Sequence, residues 1–400
     1  MTIESFGVPR GVKDALFGRE VGKKIVNLAR KVEGTREEFP HYTHVGGTRY
    51  KYFPSSTWTS GFFPGSLWAL YERVMRHKCG IADVASQQEL WNLAKAWQEG
   101  MEKEQFNSNT HDIGFMIMPS FGREHQLHQT ESAKGVIMQA AESLMTRYSP
   151  ITRCIRSWNT QKQVHREWTD PEKDFLVIID NMMNLDLLYY ASQISGNNKY
   201  AEVATIHAET TLANHFRPDN SSYHLVVYNP MTGNVKGKYT HQGYSDESTW
   251  SRGQAWALYG YATAYKYTKD ERFLDAAKRF TDYFLSRLPV DKVVYWDFDA
   301  PLPTHWDVSA AMIAVSGMLL IDSLDMSSGY TSVALDILNK VTDEAMAGSE
   351  WDTILKHSTV QNFEYALPKT KVADVGLVYA DYYFIEISNR LLEIGCVYKK

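Results

Sequence analysis

Cysteine is scarce in this 400-residue chain. The three present, Cys79, Cys154 and Cys396, are odd in number, widely spaced and without a CxxC. That excludes a disulfide framework or a cysteine zinc site and suits a reducing compartment. No run approaches the roughly 18 apolar residues needed to span a bilayer. The opening "MTIESFGVPRGVKDALFGRE" lacks the basic start and apolar segment of a secretory signal. With Met1 as the natural start, a soluble, cytoplasmic protein is expected. Basic runs are also missing, and the formal net charge of −5 argues against a nucleic-acid surface. The same charge weakly repels a long polyanion, but not a short anionic ligand held by one or two local cations. No Walker loop, GxSxG or HExxH is present, so nucleotide, serine-nucleophile and zincin chemistries have no footing. "HYTH" (His41, His44) and "HQLH" (His125, His128) resemble metal pairs but lack a third ligand in recognisable spacing, and read as surface histidines.

Aromatics are abundant, with 11 Trp and 24 Tyr. They serve a sugar-binding cleft or a large helical core equally well. Helical periodicity runs nearly throughout. In "GSLWALYERV", Leu67, Leu70, Tyr71 and Val74 share one face, as do Ala255, Leu258, Ala262 and Tyr265 in "RGQAWALYGYATAYKYT". Stretches apolar on more than one side alternate with charged amphipathic ones such as "ERFLDAAKRFTDYFLSRL". Six buried helices are expected to begin near Trp58, His111, Asp180, Trp250, Asp307 and Asp374, roughly 53 to 70 residues apart, the length of a helical hairpin with its loops. Six such hairpins close into an all-α double ring, an (α/α)6 barrel, whose inner-helix N-termini gather around one hollow.

One domain over residues 1–400 is expected, with a flexible segment over the first twenty or so. "DFLVIIDNMMN" fits least well. Phe175–Ile179 also reads as a buried parallel strand ending at Asp180, as in a doubly wound fold, yet no glycine-rich turn or companion strand follows. Short strands are expected around "SSYHLVVYNPMTGNVKGKY", with a hairpin turn at Met231-Thr232-Gly233-Asn234.

Asp112, in "NTHDIGFMIMPSF", and Asp180 both stand at the threshold of strongly apolar runs. Such carboxylates must be capped, paired or used. Capping is the ordinary fate of an Asp before a helix. Against it, His111 sits beside Asp112, and Asp180 follows a run too apolar for a surface cap. Two carboxylates sharing a dry hollow cannot both ionise easily, and the protonated one is what general acid catalysis needs. In "KYTHQGYSDESTWSRGQAW", Arg252 and Trp256 are i and i+4, placing cation and indole on one face with His241 and Gln242 nearby. Such an Arg can grip a substrate carboxylate in a bidentate fork while the indole stacks on a sugar. The plainer reading pairs Arg252 with Asp246 or Glu247.

The set "HDIGF", "IIDNMMN", "THQGYSDESTWSRGQAW" and "DVSAAMIAVSGML" resembles glycoside hydrolase family 88, the unsaturated glucuronyl hydrolases, in that family's order from about Trp58 onward. The related unsaturated rhamnogalacturonyl hydrolases of family 105 typically lack the first and third of these. The resemblance implies an (α/α)6 barrel that needs no metal or cofactor. It implies removal of a 4,5-unsaturated uronic acid from the non-reducing end of oligosaccharides left by polysaccharide lyases, through hydration of the C4=C5 enol ether. Carried over by motif, Asp180 is the general acid and then the base, and Asp112 its partner. His111, His224, Gln242, Arg252 and Trp256 grip the unsaturated sugar, and Trp58 and Trp158 wall the cleft. Lys369 or Lys371 is available to a sulfated or acidic second sugar, although solvation is the plainer reading of both. The polar stretch between Asp112 and Asp180 suggests a loop over the mouth. An oligosaccharide is the expected partner, with no nucleic acid or membrane, and the chain a monomer or weak homo-oligomer. The competing readings are a family 105-type enzyme, an inverting glycosidase or epimerase acting on saturated sugars, and a non-catalytic carbohydrate-binding toroid.

Overall fold

The computed structural model describes residues 7–31, 37–77, 83–367 and 370–395. Cys79, Cys396 and Lys369 lie outside them. Fourteen α-helices follow in order among the described residues: α1 (Arg10–Phe17), α2 (Arg19–Arg30), α3 (Phe62–His77), α4 (Gln87–Glu99), α5 (Ile113–Ile117), α6 (Arg123–His128), α7 (Glu131–Met145), α8 (Asn181–Ser195), α9 (Asn198–Asn214), α10 (Ser251–Thr268), α11 (Glu271–Ser286), α12 (Val308–Leu324), α13 (Thr331–Glu344) and α14 (Val378–Glu393).

Helices apolar on every side have nowhere to go but the interior. Residues Val308 to Ile321 of α12 are buried without interruption. The inner ring runs α3, α5–α6, α8, α10, α12 and α14, and closes where α14 packs on α3. Close approach between inner helices requires glycine. A Cβ on Gly114 would fall 2.6 Å from Cα of Asn184, and one on Gly260 2.6 Å from Cβ of Met182. The outer layer is amphipathic: α11 turns Phe273, Ala277, Phe280 and Phe284 inward and leaves its charges to water.

The double ring is the arrangement expected from the periodicity, with four local departures. The "HDIGFMIMPSF" helix is broken, because Pro119 cannot donate to the ladder and Met118–Gly122 adopts π geometry between α5 and α6. Residues 10–20 are not a loose tail. Val12 and Leu16, at i and i+4, bury one face of α1 against α13 and α14, and α2 packs on α3 and α4. Phe175–Ile178 is a buried strand, but it pairs antiparallel with Leu225–Tyr228, which pairs in turn with Val235–Tyr239. This three-stranded sheet stands at the rim, and its hairpin turns at Gly233 with φ +74°. The last inner helix begins at Val378, four residues beyond Asp374, which instead takes a left-handed φ of 55° and pairs with His357. No helix of the described residues is long and apolar enough to cross a membrane.

Candidate active site

Asp112 and Asp180 each occupy the N-cap position of an inner helix, α5 and α8, and neither side chain makes a capping hydrogen bond. Asp307, by contrast, caps α12 in the ordinary way, accepting from the Ser309 and Ala310 amides. Capping is therefore excluded for the two carboxylates at issue.

Asn184, one turn into α8, ties the two openings together. Its Oδ1 accepts the Phe115 amide at 2.8 Å, and its Nδ2 donates to the Asp180 carbonyl at 3.3 Å. Upstream, the Ile178 amide donates to Ser157 Oγ (2.9 Å) and the Ile179 amide to the His224 carbonyl (3.0 Å), so the rim sheet delivers Asp180 in a fixed register. Asp112 Oδ2 accepts from Thr110 Oγ1 at 2.7 Å, and Oδ1 lies 3.1 Å from His111 Nε2. That second approach is close but poorly angled, since Nε2 completes no hydrogen bond. His111 is fully buried, with Nδ1 3.2 Å from Ser157 Oγ.

Asp180 is 8% exposed, and its Oδ2 has no hydrogen-bond partner. Nε2 of His224 stands 3.7 Å away. His224 Nδ1 accepts the His241 amide at 2.9 Å, so the neutral ring carries its hydrogen on Nε2, toward Asp180. Burial keeps that imidazole neutral. The two carboxylates titrate in opposite directions. Burial pushes Asp180 up to about 7; Asp112 adds to the rise, and His111 and Arg252 oppose it. Burial also pushes Asp112 up, but His111, the Thr110 hydroxyl and Arg147 together outweigh it and leave its carboxyl below its ordinary value. Near neutrality one group holds a proton and the other a charge.

The aromatic residues fall into two groups. Trp158, half-buried, meets His224 and His241 edge-on at 5.9 and 5.3 Å. Trp58, also half-buried, packs on Phe115 (5.4 Å) and Tyr379 (4.9 Å). Trp256 is fully buried, 5.0 Å from Phe115 and 5.8 Å from Tyr383, with its indole N–H unpaired. It forms a floor under the site, not an open stacking face. Beneath that floor, a polar cavity of about 250 Å³ opens at the opposite end of the ring, lined partly by Phe115 and Tyr383. There Arg123 is paired with both Glu72 and Glu386, a satisfied network unlike the unpaired Asp180.

Arg252 departs from the plainer sequence reading. Asp246 pairs with Arg166, and Glu247 lies nearest Arg217. Arg252 is 1% exposed; its Nη1 donates to Asp307 Oδ2 (2.5 Å) and the Thr359 carbonyl (2.5 Å), and its Nη2 to the Val360 carbonyl. Its cation lies over Trp250 at 4.5 Å and Tyr379 at 5.6 Å, not over Trp256. Nη1 is thus saturated within the protein and Nη2 is engaged on one side, so that only the Nε–Nη2 edge is left to meet a carboxylate.

Gln242 is half-buried, and its Oε1 is buried without a partner. Its loop is held by Asp297, which accepts from the Tyr244 amide and Ser248 Oγ. The loop between Asp112 and Asp180 spans the mouth: Gln163 bonds the Thr240 carbonyl, and the Val164 amide donates to the Tyr365 carbonyl. His41 and His125 are buried, not surface, residues, satisfied by Thr59 and Tyr190 respectively. Sequence reading missed Asn184, Ser157, Thr110 and Arg147; only Thr110 carried a local signal, two residues before Asp112.

Comparison with known proteins settles the family. An unsaturated glucuronyl hydrolase of Formosa agariphila is 40% identical over 345 residues, covering 84% of this chain and 80% of that protein. It belongs to the unsaturated glucuronyl hydrolases, glycoside hydrolase family 88. Family members of the same name include one from Bacillus sp. strain GL1, 31% identical over 94% of this chain and 97% of its own length. A solved unsaturated glucuronyl hydrolase specific for heparin superposes with a TM-score of 0.82 at 32% identity, covering 95% of this chain and 98% of that one. An Asp-to-Asn mutant of the Streptococcus agalactiae enzyme, complexed with dGlcA-GalNAc6S, matches at a TM-score of 0.73 and 28% identity, with coverages of 95% and 91%. No general family model matches the chain. Membership in this family makes the chain a glycoside hydrolase with the double ring of its relatives.

Proposed function

We propose that this enzyme releases a 4,5-unsaturated uronic acid from the non-reducing end of lyase-generated glycosaminoglycan oligosaccharides by hydrating the sugar's enol ether. The observation that carries the reading is a pair of buried carboxylates at the openings of α5 and α8, neither used as a cap, with burial raising Asp180 while His111, Thr110 and Arg147 hold Asp112 down.

Asp180 gives its proton to C4, and positive charge spreads over C5 and the ring oxygen. Asp112, already ionised, stabilises that charge at no cost in proton transfer. Asp180, now a carboxylate receiving the His224 N–H, takes a proton from the water that adds to C5 and so returns to its starting state. The C5 hemiketal opens to a ketone, and the resulting C1 hemiacetal expels the neighbouring sugar. No nucleophile on the protein is required. Gln242 offers its unpartnered amide to the sugar, His111 and His224 stand behind Asp112 and Asp180, Trp58 and Trp158 wall the cleft, and Trp256 closes the floor. Arg252 contributes positive charge from the wall, where it acts on Asp180. The cytoplasm is the proposed location, since three cysteines without a pairing pattern suit a reducing compartment.

The test is a lyase-generated chondroitin, hyaluronan or heparin disaccharide followed by absorbance of the conjugated enol ether. Loss of absorbance on enzyme addition is expected. Unchanged absorbance with all three, together with cleavage of saturated glycosides, would contradict the reading.

A further inference from the structure

Outer helix α7 ends at Met145, and two residues later Arg147 turns back under the site. Its side chain is buried, with the residue 7% exposed. Among the described residues no carboxylate lies within ion-pair distance of it. Its donors go instead to three main-chain carbonyls and one amide: Ser108 O at 2.5 Å, Arg156 O at 2.7 Å, Ser157 O at 3.2 Å and Asn159 Oδ1 at 3.1 Å. A buried cation without a counter-ion is costly unless hydrogen bonds and nearby negative charge compensate it.

The bonded segments are the two that carry the site. Ser108 precedes His111 by three residues, and residues 156–159 hold Ser157 and Trp158. Ser157 Oγ in turn touches His111 Nδ1 and receives the Ile178 amide, two residues before Asp180. We infer that Arg147 is a positioning residue of the active site, a cationic clamp that fastens the His111–Asp112 turn to the Ser157–Trp158 segment. This inference rests on the Asp112–Asp180 reading.

The clamp is also a source of field. Arg147 stays charged at neutral pH, with burial lowering its value only to about 10. Asp112 faces His111 from its own turn, Arg147 from beyond α7 and Asp180 from α8; Asp180 faces His111, Arg252 on α10 and His224. Arg147 is a permanent cation among the groups acting on Asp112. It therefore favours the ionised form of Asp112.

Arg147→Lys keeps the charge and loses the planar fork; Arg147→Gln loses both. The experiment measures kcat and the pH profile of kcat/KM for each against the parent enzyme, with circular dichroism as the check on folding. Both variants are expected to lose about tenfold or more in kcat, since an ångström of misplacement is enough for that. Arg147→Gln should also move the acid limb up by about one pH unit, while Arg147→Lys leaves it in place. Parent-like kcat in both variants, or acid limbs that coincide, would overturn the inference. Should Arg147→Gln not fold, Arg147→Lys still decides: lowered kcat with an unmoved limb supports the clamp, and parent-like kcat overturns it. An inactive Asp180→Asn beside unperturbed Arg147 variants would sink the clamp and leave the carboxylate pair standing.

Discussion

Asp180→Asn is expected to separate stability from turnover, and the separation should depend on pH. Burial raises the Asp180 carboxyl from its ordinary 3.8 to about 7. Because its folded-state value lies above the unfolded one, its contribution to stability is complete below about pH 3.8 and is lost as pH rises through about 7. Converted at about 1.36 kcal/mol per pH unit, the ionised side chain costs the fold about 4 kcal/mol above neutrality. Asparagine has nearly the same shape and never ionises, so it escapes that cost. Urea unfolding of parent and variant at pH 5 and 8.5 should therefore show the variant's advantage widening by about 2–3 kcal/mol at the higher pH. Over the same range its turnover of an unsaturated disaccharide should fall by about 10²–10⁴-fold, the usual worth of positioned acid catalysis. A stability difference that does not change with pH, or turnover near that of the parent, would refute the assignment.

Two further substitutions probe the neighbours. Asp112→Asn removes the negative charge that helps hold the Asp180 proton, so residual activity should be low and its alkaline limb should move to lower pH; a limb that moves up or stays put would break the coupling. Arg252→Ala strips a buried cation from Asp307, so thermal and urea unfolding should register a loss of about 3–5 kcal/mol alongside any rise in KM. A variant as stable as its parent, with only KM raised, would make Arg252 a substrate grip and not a structural cation.

The double ring was legible because its signals are local. Continuous burial in "DVSAAMIAVSGML" marks an inner helix, and the alternation in "ERFLDAAKRFTDYFLSRL" an outer one. Asp112 and Asp180 were legible as charges out of place. What escaped was the choice of partner across the chain. Nothing near Arg252 announces Asp307, and nothing near Asn184 announces the Phe115 amide, 69 residues earlier. Arg147 looked like any charged residue at a helix end, because its role lies in the three carbonyls that converge on it. The strand at Phe175–Ile178 was weighed only as a parallel one and set aside for want of a companion, for the same reason: burial pattern suggests a strand, whereas pairing depends on a hairpin about fifty residues downstream. Helix α1 was missed because Val12 and Leu16 give a stripe only two residues long in a polar setting.

Delivery of a proton to carbon is the step on which the rest depends, and isotope placement reads it directly. Turnover of an unsaturated disaccharide in deuterium oxide, with the product examined by NMR, should put one deuterium on C4, on a single face, with the double bond gone. Asp180→Asn should place none. A released sugar that keeps its C4=C5 double bond and carries no deuterium at C4 would mean that cleavage proceeds at the anomeric carbon, and that the two carboxylates have been given the wrong work.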